Sequence, residues 1–189
     1  MKNTFLALFI LCFLTGCKEH NLSHKEIVSK YYNSFDSGNY DEIKAVLNDS
    51  VTQIAGDFVT PYNHDSFYEF FKWDSIFKPS YKIVELVEKN NDILVTVAQE
   101  NVRNEFLKNI PLVYKVKVSF ISSKISKLEE LESIDTNWEV WIQERDSLVN
   151  WIKNNHPDLD GFVNDMTMKG SKNYLKAIEL FTSNKDSLQ

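Results

Sequence analysis

The sequence is nearly free of cysteine. Its two cysteines, Cys12 and Cys17, lie near the amino terminus, and the residues after them contain none. The body of the chain therefore has no disulfide and no thiolate ligand for a metal ion. Its hydrophobic core alone must hold the fold together, even in an oxidising compartment.

Glycine and proline are scarce as well, at 5 and 4 residues, which argues against long disordered or low-complexity segments. Basic residues number 21 against 27 acidic ones, and they are not clustered enough to follow a phosphate backbone. We therefore expect no nucleic-acid partner. There is also no phosphate-binding glycine loop and no Gly-x-Ser-x-Gly motif. We expect no cofactor and no metal site.

A hydrophobic run long enough to cross a bilayer is missing too. The apolar stretch from Phe5 to Leu14 is shorter than the roughly 20 residues of a transmembrane helix. It follows the basic Lys2 and ends in Leu14-Thr15-Gly16-Cys17, which is typical of a secretory signal. These last four residues resemble the lipobox of bacterial lipoproteins, whose cysteine is acylated after cleavage. An ordinary signal with an incidental cysteine is the alternative.

The lipobox resemblance implies a signal peptide at residues 1–16 and a membrane anchor at Cys17. Residues 17–22 are then the acylated cysteine and a tether that reaches roughly 17 Å when extended, so the domain lies close to the bilayer. Lys18 follows the cysteine in place of the aspartate that favours inner-membrane retention in enteric bacteria. By analogy, we expect a lipid-anchored protein of the cell envelope, in the outer rather than the inner membrane.

Three helices are predicted in the first half of the chain from their capping residues, which are Ser23, Asn39 and Ser66. Ser37-Gly38 ends the first helix, and Pro79 excludes continuation of the third. Residues 51–55 are predicted to form a short strand, followed by a turn at Gly56-Asp57.

Alternating apolar and polar residues predict four further strands, at residues 81–88, 92–99, 112–121 and 124–132. Asn90-Asn91 and Ser122-Ser123 are the turns of two hairpins. Residues 101–110 are predicted to be a long connection. The tail is predicted to be helical, with one helix capped by Thr136, a short helix around Phe162 that Gly170 closes, and a last helix after it.

Two segments carry the resemblance to a known family. Residues 31–43 (Tyr-Tyr-Asn-Ser-Phe-Asp-Ser-Gly-Asn-Tyr-Asp-Glu-Ile) resemble the first two helices of the NTF2-like (SnoaL-like) superfamily, and residues 120–131 resemble its last hairpin. The resemblance covers residues 23–133. It implies an α+β fold, an NTF2-like cone in which N-terminal helices pack on a curved antiparallel sheet. Residues 134–189 exceed the usual family length and are interpreted as a C-terminal helical extension.

In that superfamily, ligands or active sites sit inside the cone. We expect a cavity here to be lined by aromatic and β-branched side chains, namely Tyr31, Phe35, Phe67, Phe71, Val97, Tyr114 and Val118. The same side chains can simply fill the cone, and a filled core is the commoner outcome.

Steroid isomerases of the superfamily need a tyrosine donor on the first helix, a general-base aspartate after the first strand and a second acid on a central strand. Tyr31 matches the donor, Asp57 lies two residues past the base position, and Lys115 or Val116 stands where the second acid would be. Dehydratase relatives use a His-Asp pair, for which His64 and its neighbour are candidates. Packing, turn formation and helix capping are the commoner explanations of these residues.

Two patterns in the second half are open to more than one interpretation. The tail tryptophans anchor a partner, sit at a lipid interface or pack the extension onto the outer face of the sheet; they are Trp138, Trp141 and Trp151. The acidic run of Glu129, Glu130 and Glu132 is either a solvated strand edge or a cation site.

These observations favour a non-catalytic envelope module that binds a small apolar ligand or a partner protein. An enzyme of isomerase or dehydratase type and a purely structural envelope protein are the alternatives. Association with a second copy of the chain stays open.

Replacing the lipobox cysteine tests the predicted anchor. Cys17→Ser should move the protein from the membrane fraction to the soluble fraction, because the thioether-linked lipid can no longer form. Globomycin should leave a larger precursor in wild-type cells, and both results can be followed by immunoblotting of cell fractions. A membrane-bound Cys17→Ser variant, or a precursor of unchanged size, would contradict the prediction.

Overall fold

The computed structural model describes residues 22–187, so the predicted signal peptide and Cys17 lie outside the described residues. Within that range the helices are α1 (His24–Asp36), α2 (Tyr40–Val46), α3 (His64–Ser75), α4 (Val102–Phe106), α5 (Trp138–Asn155) and α6 (Met168–Asp186). The strands are β1 (Leu47–Ala55), β2 (Phe58–Asn63), β3 (Ser80–Lys89), β4 (Asp92–Glu100), β5 (Leu112–Ile121) and β6 (Lys124–Ile134). In this part of the chain no helix is long and apolar enough to cross a membrane.

The capping signals place the first two helices as predicted. Ser23 and Glu26 form a complete capping box at the start of α1. Gly38, with a φ of +67°, supplies the left-handed residue after α1 that a side chain would disfavour. Asn39 then accepts a hydrogen bond from the Glu42 amide and starts α2.

All six strands form one curved sheet in the order β2-β1-β6-β5-β4-β3. Neighbouring strands are antiparallel except β1 and β6, which run parallel. Register shifts between Ile83 and Glu85, Lys115 and Val116, and Ser119 and Phe120 are bulges that bend the sheet. The predicted α+β cone is therefore confirmed.

Helix α1 lies in the concave face of this sheet. Its buried residues pack with inward-facing strand residues in one core cluster that includes Val28, Tyr31, Phe35, Val95 and Val118. Each such side chain contributes about 1.5–3 kcal/mol of hydrophobic free energy when fully buried. The helix runs along the sheet from the β5–β6 turn, where His24 stacks on Phe120, to the start of β3, where Asp36 accepts the Tyr81 amide.

Several predicted boundaries of the first half are corrected. Strand β2 was not predicted, and α3 starts after Asn63 rather than Ser66, because Asn63 and Ser66 form the capping box themselves. The connection at residues 101–110 contains α4, which begins where the Asn101 side chain accepts the Asn104 amide. Short polar side chains act as caps at several spacings, so the pattern alone does not select one of them.

The observed elements of the tail differ more from the predicted ones. Helix α5 is capped by Asn137 rather than Thr136, and two 3₁₀ turns replace the predicted short helix around Phe162. The two tail helices do not cover the outer face of the sheet. Helix α6 packs on α3, α4 and α5. The tail forms a second core with the end of α3, and this core contains Trp73, Phe77, Leu148, Ile152, Phe162, Tyr174 and Phe181.

Gly170 lies inside α6 and does not close a helix, so that prediction was wrong. A β-carbon at this position would lie 2.0 Å from the carbonyl oxygen of Asp165. The same carbonyl accepts a hydrogen bond from the Trp73 indole at 3.2 Å. Glycine is thus required by the close approach of two backbones and not by a turn.

Substituting this glycine should therefore destabilise the fold. Gly170→Ala is expected to lower the free energy of unfolding by about 1–3 kcal/mol, as in overpacked cores, although alanine is the better helix former. Urea unfolding followed by circular dichroism measures the change, and Lys172→Ala at an exposed site of α6 is the matched control. A Gly170→Ala variant at least as stable as the wild type would contradict this packing.

Candidate functional site

A cavity of about 300 Å³ lies between α1, α3, α4 and strands β1, β3, β4, β5 and β6. Aromatic side chains form much of its wall, and they are Tyr31, Tyr32, Phe35, Phe70, Trp73, Tyr81 and Tyr114. Polar side chains face it as well, namely Gln53, Asp74, Gln99, Arg103 and Glu130. The cone is thus hollow at this place, where a filled core was the commoner expectation.

Three of the seven predicted lining residues border this cavity: Tyr31, Phe35 and Tyr114. The other four, Phe67, Phe71, Val97 and Val118, are buried in the core cluster and are absent from the wall. The ring of Phe71 lies edge-on to that of Phe35 at 5.5 Å, so the aromatic face of α3 fills the cone on this side of α1.

Asp74 is the most deeply buried acidic group of the cavity. Helix α3 places it on its buried face, and only 3% of the residue is exposed. The Tyr81 hydroxyl donates to its Oδ2 at 2.8 Å, and the Gln99 side-chain amide donates to the Tyr81 oxygen at 2.8 Å. This series of hydrogen bonds directs the Tyr81 hydroxyl proton towards the Asp74 carboxylate. No described residue forms a hydrogen bond with Oδ1 of Asp74.

Glu130 supplies a second carboxylate to the cavity. It is half-buried and accepts a hydrogen bond from the Ser133 hydroxyl at 3.2 Å. Its neighbours in the acidic run are on the outer face of the sheet, where Glu129 pairs with Lys117 and Lys127, and Glu132 pairs with Lys115. The interpretation of the run as one solvated edge is therefore wrong for Glu130.

Burial governs the proton affinities of this site. Loss of hydration raises the pKa of Asp74, although the hydrogen bond from Tyr81 and the charge of Arg103 oppose the shift. Burial also raises the pKa of Tyr114 well above its usual value, and the charges of Asp74 and Glu130 contribute in the same direction. Burial and the neighbouring acids therefore both keep the Tyr114 hydroxyl protonated.

The predicted catalytic residues are not brought together. Asp57 lies in the exposed β1–β2 turn, and His64 lies at the other end of β2, roughly 20 Å away at about 3.3 Å per residue. His64 lines a separate surface cleft with Tyr40 and Tyr68, and neither Asp57 nor His64 borders the cavity that contains Tyr31. The unpredicted strand β2 explains the separation.

The sequence pattern did not lead us to predict Asp74 and Glu130 as cavity residues, although it places both on an inward face. Asp74 is seven residues after Phe67 and three after Phe71, so helical periodicity puts it on the apolar face of α3. Glu130 is two residues after Leu128, so strand alternation puts it on the inner face of β6. Within residues 22–187, no group of three metal-ligating side chains is arranged to hold a metal ion.

The raised pKa of Asp74 makes stability depend on pH. An aspartate with a raised pKa in the folded state stabilises the fold below its unfolded pKa of about 3.9 and loses that contribution as the pH rises through the folded pKa. The free energy of unfolding of the wild type should therefore fall relative to that of Asp74→Asn as the pH rises from 4 towards 8. Urea unfolding of both proteins, repeated at intervals of about one pH unit, measures this difference.

The matched control is Asp57→Asn, which makes the same chemical change at an exposed position. A difference between the wild type and Asp74→Asn that stays constant over this pH range would contradict the assigned environment.

Comparisons with known proteins support the fold and leave the activity open. No protein-family model matches the chain, and no curated protein matches it. IdmH of Streptomyces antibioticus, a candidate polyketide cyclase, is 10% identical and has a TM-score of 0.50 over 66% of this chain and 99% of its own. An NTF2-like protein of unknown function from Cytophaga hutchinsonii is 12% identical, with a TM-score of 0.49 over 60% of this chain and 92% of its own.

A candidate ketosteroid isomerase from Kribbella flavida is 13% identical, with a TM-score of 0.49 over 60% of this chain and 81% of its own. Similarities at these identities concern the fold alone. The chain has the NTF2-like α+β fold, with further helices at its C-terminal end.

Proposed function

We propose that the protein is a lipid-anchored component of the cell envelope, in the outer membrane, and that its cone binds a small organic molecule without transforming it. The observation that carries the binding role is the cavity of about 300 Å³. This is at the lower end of the volumes typical of small-molecule sites, and aromatic walls with a few polar groups are their usual lining. A purely structural role would be better served by a filled cone.

The lining refines the expected ligand. Aromatic rings provide apolar contact, while Gln99, Asp74 and Glu130 provide hydrogen-bonding groups at fixed places. A ligand that is apolar throughout would leave these polar groups without partners, at a cost of about 1–3 kcal/mol for each buried one. The site thus favours a molecule with an apolar body and a polar end.

The proposed anchor fits the placement of the cavity. Helix α1 begins beside Phe120 at the β5–β6 turn, and its far end lies about 20 Å away, near the cavity. A tether before Ser23 would therefore be attached to the domain at the end opposite to the cavity. The cavity would then face away from the membrane and receive its ligand from the aqueous side.

Binding of a partner protein is the second candidate, and the surface of α5 favours it. Trp138 and Ile142 are 49% and 45% exposed, and Trp141 is half-buried beside Trp138. Exposed tryptophans are frequent anchors in protein interfaces. An isomerase or dehydratase built on Tyr31, Asp57 and His64 is not favoured, because these residues lie apart.

Filling the cavity tests the small-molecule role. Val116→Phe adds a ring at a position of β5 that lines the cavity, while Val113→Phe makes the same change on the opposite face of that strand. We expect the wild type and Val113→Phe, purified as full-length protein from membranes of the producing organism, to carry the same small molecule. Val116→Phe should have lost it, as measured by mass spectrometry of organic extracts.

Circular dichroism checks that both variants are folded, and Ile54→Phe at the half-buried wall of the cavity is a second filling change. Retention of the molecule by folded Val116→Phe and Ile54→Phe, or a wild type without any bound molecule, would contradict the proposal.

A further inference from the structure

The cavity contains more acidic than basic groups. Asp74 and Glu130 both face it, and Arg103 is the single basic side chain among the described residues of its wall. Arg103 lies over the rings of Trp73 and Phe77, with its guanidinium carbon 5.0 and 5.4 Å from their centroids. No described basic group forms an ion pair with either carboxyl group, so acidic side chains outnumber basic ones by two to one in the described wall of the cavity.

Several of the hydrogen-bonding groups that remain open are acceptors, while the buried Nε of Arg103 is a donor without a partner among the described residues. Oδ1 of Asp74 and Oε2 of Glu130 have no hydrogen-bond partner among the described residues. Tyr31 and Tyr32, which are 6% and 4% exposed, also face the cavity, and no described residue hydrogen-bonds their hydroxyls. A hydroxyl can accept as well as donate, so the cavity offers several acceptors around one space.

The aromatic rings in the cavity wall also suit a ligand that donates hydrogen bonds to these acceptors. Four tyrosines and Trp73 border the space that Asp74 and Glu130 also face. Aromatic faces attract cations, most strongly where water is excluded. A protonated amine has three donors and no acceptor, which matches a set of unpartnered acceptors.

We propose that the ligand of the cone is a small organic cation, an ammonium group on an apolar body, whose charge is bound by Asp74 and Glu130 within the tyrosine cage. This inference rests on the proposed small-molecule function and names the chemical class of its ligand. Arg103 remains over Trp73 and Phe77 and takes no part in binding the cation. An anionic ligand would meet two acidic groups against the single guanidinium of Arg103, and a neutral ligand would form no charge-assisted hydrogen bond with Asp74 or Glu130.

Three probes of one shape test this class. They are 4-phenylbutylamine, 4-phenyl-1-butanol and 4-phenylbutanoate, which end in a cation, a neutral hydroxyl and an anion. Each is titrated by calorimetry into full-length protein in nanodiscs of phosphatidylcholine, and titration into empty nanodiscs provides the blank. The amine should bind at least about tenfold more tightly than the alcohol, as expected for charge-assisted hydrogen bonds, and the butanoate should bind most weakly.

Substitutions of Asp74 and Glu130 test whether these two acids cause the preference for the amine. Glu130→Gln and Asp74→Asn should each weaken amine binding at least about tenfold and weaken alcohol binding by a smaller factor, because they remove the charge that attracts the ammonium group and keep an acceptor oxygen for a hydroxyl. Glu132→Gln is the matched control, since it makes the same change on the outer face of β6. Near-ultraviolet circular dichroism reports folding, and Glu130→Gln at its half-buried position keeps the test decisive if Asp74→Asn is unfolded.

The outcomes separate this inference from the function on which it rests. Equal affinity for the amine and the alcohol, or tighter binding of the butanoate, would overturn the cation inference while the cone remained a small-molecule site. An amine preference that survives in both Glu130→Gln and Asp74→Asn would also overturn it. If none of the three probes binds, the cation inference fails, and the co-purification experiment with Val116→Phe decides the proposed function independently.

Discussion

The packing of one helix into a curved sheet determines the rest of this structure. Helix α1 fills the narrow end of the cone, where its aliphatic residues meet buried valines and isoleucines of the strands. Register shifts in β3–β4 and β5–β6 bend the sheet, and α1 and α3 leave a cavity against part of its inner face. The same helix therefore provides core at one end and, through Tyr31, Tyr32 and Phe35, cavity wall at the other.

The acids in this cavity are hard to explain by stability alone. Burial of Asp74 opposes its ionisation, and the hydrogen bond from Tyr81 offsets that effect only in part. Apolar side chains of similar volume would give a more stable core. A buried carboxyl with a shifted pKa, in a cavity that also holds Glu130, is instead typical of a site with a function.

The C-terminal helices are coupled to the cavity through α3 and α4. Trp73 belongs to both parts, because its ring borders the cavity, packs in the second core and donates a hydrogen bond to Asp165. Met166, just after that residue, is 51% exposed and also borders the cavity. The tail thus forms part of the site and is more than an addition to the cone.

Most of the elements could be predicted, because their signals are local. The Ser23 capping box, the Asn39 cap and the Asn90-Asn91 turn each act within four residues, and strand alternation located β3 to β6. Predictions failed where several caps competed, as at Asn63 and Asn137, and where a glycine was required by a distant backbone, as at Gly170. The site was less predictable, with Tyr31, Phe35 and Tyr114 found and Asp74 and Glu130 missed.

The sequence by itself determined the inward faces of α1 and β5, the α+β class and the absence of thiols from the body of the chain, because periodicity and composition are properties of the chain alone. Only the tertiary structure decided that the cone is hollow at one end, that Asp74 and Glu130 share that space, and that Asp57 and His64 lie outside it. These features depend on sheet curvature and on distances between elements far apart in the chain, which no local pattern encodes.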